Sequence, residues 1–143
     1  MNRIIGREKE LHAIQRLAAS PKSEFLAIYG RRRVGKTFLV REVFEGKFSF
    51  YVTAMANVTT RQQLANFHTA LKKYSTAASQ KTAPAANWFE AFIQLEELLS
   101  SNKNKKKIVF IDELPWFDTA RSSFIAALEH FWNSWPAPAK IYY

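Results

Sequence analysis

Gly30, Gly35, Lys36 and Thr37 stand in the spacing G-x-x-x-x-G-K-[ST], with Arg31, Arg32, Arg33 and Val34 in the variable positions and Phe38 next in line. That pattern suits the wrapping of a polyphosphate by backbone N–H groups, which requires glycine where a side chain would strike the ligand. Lys36 can reach the β- and γ-phosphates as a point charge. The hydroxyl of Thr37 can ligate Mg²⁺, and the start of a helix adds its partial positive charge. Well downstream, Asp112 and Glu113 close the apolar run Ile108, Val109, Phe110, Ile111. An apolar strand that ends in two carboxylates offers a second half of the same site. Asp112 would hold Mg²⁺ through its water shell, and Glu113 would polarise an attacking water as general base. Taken alone, the carboxylates also fit a solvated strand end.

These groups need elements to position them. The apolar residues 25–29 read as the strand that precedes a phosphate loop, and residues 36–45 as the helix that follows it, stopped by Gly46. Upstream, Leu11, Ile14, Leu17 and Ala18 share one face of a helix that ends at Ser20 and Pro21. Residues 48–52 read as a short strand buried on both faces, and 53–60 as a loop. Leu64, Phe67, Leu71 and Tyr74 recur at helical spacing, as do Trp88, Phe92, Leu95 and Leu99 behind a capping box formed by Asn87 and Glu90. Between those helices, residues 75–86 are small and polar and read as the mobile part of a single domain. A stripe of Phe124, Ile125, Leu128, Phe131 and Trp132 marks another helix, and Ala139 begins a fourth strand.

Composition sets the outer bounds. A chain of 143 residues that is 48% hydrophobic can bury one core. It contains no cysteine, which excludes disulfides and thiolate catalysis. No stretch is apolar enough to be a signal-peptide core or to span a bilayer, so the expectation is a soluble, cytoplasmic protein without membrane contact. A formal net charge of +9 favours anionic partners. His12, His68 and His130 show no metal-ligand spacing and are expected to be structural or exposed. The lysines at 103, 105, 106 and 107 lack flanking aromatics and read as a solvated turn before a strand.

The motifs also discriminate between kinds of phosphate chemistry. A guanine-reading Asn-Lys-x-Asp is absent, because Asn102-Lys103 and Asn104-Lys105 lack the aspartate. Glu113 beside a metal-binding Asp112 favours hydrolysis over transfer to a second substrate. ATP with Mg²⁺ is therefore the expected ligand pair, and ATP hydrolysis the expected reaction.

Three stretches together resemble a known family. Residues Ile4, Ile5, Gly6, Arg7, Glu8 and onward to Leu11, the loop Tyr29-Gly30-Arg31-Arg32-Arg33-Val34-Gly35-Lys36-Thr37, and Phe110-Ile111-Asp112-Glu113-Leu114-Pro115-Trp116 are similar to the prokaryotic archaeal-type ATPases of the AAA+/STAND group. The resemblance implies a three-layer α/β phosphate-loop core of the ASCE/AAA+ kind with a parallel sheet. It also implies contact of Ile5, Gly6 and Arg7 with the adenine, although those residues fit a simple helix lead-in as well. In such proteins the chain continues through a sensor strand, an arginine finger, a helical lid and often a nuclease-like domain. The core over 1–143 is accordingly expected to be incomplete at its C-terminus, to bind ATP more firmly than it hydrolyses it, and to self-associate through uncovered apolar surface. Two other readings stay open. One is a non-catalytic module in which bound nucleotide orders loops for a protein partner. The other is a nucleic-acid-binding module that uses the basic surface, including Arg31 to Arg33, or a further C-terminal domain.

Overall fold

The structure is a computed structural model that describes residues 16, 25–29, 46–75, 83–101, 107–134 and 138–142. Its elements in chain order are β1 (Phe25–Tyr29), β2 (Phe50–Thr53), α1 (Thr60–Tyr74), α2 (Trp88–Ser101), β3 (Lys107–Asp112), a 3₁₀ turn at Leu114–Phe117, α3 (Phe124–Ser134) and β4 (Pro138–Tyr142). The four strands form one parallel sheet in the order β2-β3-β1-β4. Parallel neighbours require crossovers, and α1 with α2 joins β2 to β3 while α3 joins β3 to β4.

Both of those connections run in the same direction across the sheet. Right-handed crossovers then place α1, α2 and α3 on one face. The packing agrees: Phe50 and Val52 of β2 and Val109 and Ile111 of β3, alternate residues on one side of the pleat, share a single apolar cluster with all three helices. Phe67 of α1 lies near its middle. Its ring meets Phe50 at 5.0 Å, Trp88 at 5.4 Å, Phe92 at 5.6 Å and Phe117 at 6.4 Å between centroids. Trp88 in turn stands edge-on to Phe124 at 4.9 Å, which ties α3 to the same cluster.

Strand β3 is buried along its length after Lys107, as a central parallel strand should be. Strand β2 differs from the expectation of a strand over 48–52 buried on both faces. It spans Phe50–Thr53, and its residues alternate, with Phe50 and Val52 buried, Tyr51 half-buried and Thr53 exposed. Its place at the sheet edge is the reason. Phe48 stays outside the strand but packs on the opposite face, against Tyr51 and Phe110.

Helix ends follow local chemistry. Thr59 caps α1 by accepting the Gln62 N–H, and the Gln62 side chain accepts the Thr59 N–H in return. At α2, Asn87 Oδ1 accepts the Glu90 N–H as expected. The Glu90 carboxylate reaches back one residue further than a capping box requires, to the Ala86 N–H. Gly46, expected to stop a helix, has φ +73°, a left-handed value that glycine adopts without penalty. The helix expected over 36–45 lies outside the described residues, as does that around Leu11–Ala18 except for Arg16, which is helical and exposed, and with them lies the third layer of the expected core.

Candidate functional site

The C-terminal ends of all four parallel strands share one edge of the sheet. Strand β1 ends there at Tyr29 and β3 ends at Asp112, which is 4% exposed. Asp112 pairs in register with Thr53, and its carbonyl accepts the Ala54 N–H at 3.0 Å, so the end of β3 is held by β2. One carboxylate oxygen, Oδ1, accepts the N–H of Glu113 at 3.0 Å. The backbone then turns sharply. Glu113 is half-buried in the left-handed conformation, φ 58° and ψ 36°, and its carbonyl accepts the Trp116 N–H at 3.0 Å to open the 3₁₀ turn. A non-glycine residue in that conformation costs about 1–2 kcal/mol and persists only where its surroundings impose it.

Strand order makes this edge a crevice. The chain leaves β1 toward β2, on the far side of β3, and leaves β3 toward β4, on the far side of β1. Connections from two adjacent strands that depart in opposite directions define a topological switch point, and open α/β sheets take their ligands outside the strand ends at such a point. Asp112 and Glu113 stand on one side of it. The other side is where β1 delivers the chain to Gly30. Residues Gly30, Arg31, Arg32, Arg33, Val34, Gly35, Lys36, Thr37 and Phe38, and Ile5, Gly6 and Arg7, lie outside the described residues. Of the candidate site residues, Asp112 and Glu113 are the two whose placement is described, and both emerge at the expected strand end.

Sequence reasoning missed the polar residues that brace this edge. Gln63 lies one helical turn from Thr60 and from Phe67 and is fully buried. Its Oε1 accepts the Met55 N–H at 3.2 Å, and its Nε2 donates to the carbonyls of Met55 and, at 3.1 Å, Trp116. Thr60 and Thr119 share a hydrogen bond between their hydroxyls, and Asn66 Nδ2 donates to the Thr53 carbonyl at 2.8 Å. The available signal was a glutamine on the apolar stripe of an amphipathic helix.

His68, also on α1, is buried, as a structural role requires. Both ring nitrogens lack a hydrogen-bond partner among the described residues. Burial lowers its pKa below the ordinary imidazole value, and the nearby charge of Lys72 lowers it further. Among the described residues no cluster of three or more His, Asp or Glu forms a metal site, and no helix is long and apolar enough to cross a membrane.

Comparison with known proteins decides the family. Residues 4–141 match the model of an ATPase domain found predominantly in Archaea. The chain belongs to this family. An uncharacterized protein of Methanocaldococcus jannaschii is 32% identical to this ATPase domain over 111 residues, which cover 78% of the chain and 22% of the relative. An uncharacterized ATP-binding protein of the same organism is 40% identical over 43 residues, covering 30% of the chain and 73% of that relative. The chain thus corresponds to about a fifth of the length of the first of these. No solved structure matches it significantly. The earlier resemblance to archaeal-type ATPases is therefore correct, and membership of an ATPase family supports ATP as the ligand.

Proposed function

We propose that this ATPase domain binds ATP with Mg²⁺ at the switch point between β1 and β3 and hydrolyses the γ-phosphate, with the free energy used to switch the conformation of a longer assembly. One observation carries the reading: Asp112 and Glu113 emerge from β3 directly beside the strand that leads into Gly30 and Lys36. In this reading the backbone of residues 30–37 wraps the phosphates and Lys36 neutralises their charge. Arg31 to Arg33 face phosphate, a neighbouring subunit or solvent.

The donor set at the strand end fits magnesium. Asp112 is a buried carboxylate whose Oδ1 accepts the Glu113 N–H, and a hard carboxylate oxygen is the type of ligand that magnesium takes. With Thr37 it would hold Mg²⁺, which supplies charge neutralisation across the β- and γ-phosphates. Glu113, released from the strand direction by its left-handed backbone, accepts a proton from the attacking water as general base. Ile5, Gly6 and Arg7 cover the adenine.

Calorimetric titration of the chain with ATP and Mg²⁺, run beside Lys36→Ala, tests this. Binding in the wild type that the substitution abolishes supports the reading. Equal binding by both, or none by a folded wild type, refutes it.

A further inference from the structure

A glutamine amide has four hydrogen-bonding positions, and burying it is costly unless they are used. Gln63 uses three of them, all on backbone groups of other segments: the N–H and C=O of Met55 in the loop after β2, and the C=O of Trp116 in the turn after β3. A single buried side chain on α1 therefore joins the two loops that leave the sheet beside Asp112. The side chains of Met55 and Trp116 are themselves exposed, so neither loop is anchored at those points by burial of its own apolar group.

The Trp116 end of this bridge acts on Glu113. Trp116 donates its N–H to the Glu113 carbonyl, and its own carbonyl is the group Gln63 holds. The turn that begins with the left-handed Glu113 is thus fixed at its near end by Asp112 Oδ1 and along its length by the burial of Leu114 and Phe117 in the core, and Gln63 adds a polar hold at Trp116, the residue that closes the hydrogen bond on Glu113. The Thr60–Thr119 hydroxyl pair ties the same helix turn to the next residues of the loop. We propose that Gln63 is a positioning residue for Glu113: it holds the 113–117 turn in the one conformation that aims the carboxylate, and it makes that turn move together with the loop at 54–59. The proposal rests on the reading of Glu113 as general base, but the mechanical coupling stands apart from it. A partner that pulled on the 54–59 loop would then alter hydrolysis without touching nucleotide.

The test uses Gln63→Met, which keeps the volume and removes all three bonds. Amide hydrogen exchange should rise about tenfold or more at Met55, Trp116 and Asp118 together, while β3 and α2 exchange as in the wild type. ATP affinity should stay within about twofold, and kcat should fall about tenfold with KM unchanged, as expected when a catalytic group is misplaced rather than removed. In the wild-type chain itself, Met55 and Trp116 amides should open with the same apparent constant, which tests the coupling even where the variant folds poorly. Exchange that changes in one loop alone, or wild-type amides that open independently, overturns the clamp. Loss of kcat and affinity in equal measure overturns the positioning role. A wild type that fails to bind ATP sinks the hydrolase reading and leaves the exchange results to decide the clamp.

Discussion

Replacing Glu113 by glycine should stabilise the fold while abolishing hydrolysis. Glu113 holds φ 58°, and the hydrogen bonds that fix it there are made by its backbone, through the N–H to Asp112 Oδ1 and the C=O to Trp116 N–H. Glycine keeps both bonds and releases about 1–2 kcal/mol of left-handed strain. Its greater freedom in the unfolded chain takes back about 0.5–1 kcal/mol. The net expectation is a gain of about 0–1.5 kcal/mol, with a central value of about 0.75 kcal/mol, or about 3 °C in Tm for a chain of this size. Glu113→Gln is the control, since it removes the carboxylate and keeps the strain; its stability should match the wild type. Urea denaturation followed by tryptophan fluorescence, with unchanged m values, reads the difference. If Glu113→Gly is no more stable than Glu113→Gln, the left-handed glutamate stores no strain, and the argument that the surroundings force it for function fails.

Two more outcomes follow from the core and from its buried imidazole. Phe67→Ala, which removes the ring shared by β2, α1, α2 and the 3₁₀ turn, should cost about 3–5 kcal/mol in denaturant titration, close to the whole stability of a marginal domain. His68 has a folded pKa below its unfolded value because burial, then Lys72, disfavours the imidazolium. The unfolded chain therefore binds the extra proton first, and the stability that neutral His68 contributes is complete above about pH 6.5 and declines as pH falls below it. Glu97, across on α2, lines the same cavity between the helices. His68→Leu should flatten the stability profile between pH 7 and 5; an unchanged slope would contradict the assignment.

Much of this architecture is written in local patterns, and what is not has identifiable causes. The helical stripes at Leu64, Phe67 and Leu71 and at Trp88, Phe92, Leu95 and Leu99 mark faces that are in fact buried, because burial and periodicity are the same physical requirement. Asp112 and Glu113 were legible as a strand end for a similar reason: four apolar residues need a buried strand, and two carboxylates need its mouth. Sheet order was not legible, since pairing is non-local, and the half-exposed Tyr51 follows from β2 lying at an edge that no local pattern announces. Gln63 was passed over because its partners are backbone groups of residues far away or across a loop, and residue type carries no trace of them. The left-handed turn at Glu113 is hidden in the same way. Glycine would have advertised it; a glutamate held there by its neighbours does not.

The central claim is that residues 30–37 and Asp112 form one ATP–Mg²⁺ site in this ATPase domain. The most direct measurement is a calorimetric titration of the folded wild-type chain and of Lys36→Ala with ATP, each with and without Mg²⁺. The account predicts saturable binding by the wild type that weakens without magnesium and disappears in the variant. Binding that survives Lys36→Ala and ignores magnesium would contradict it.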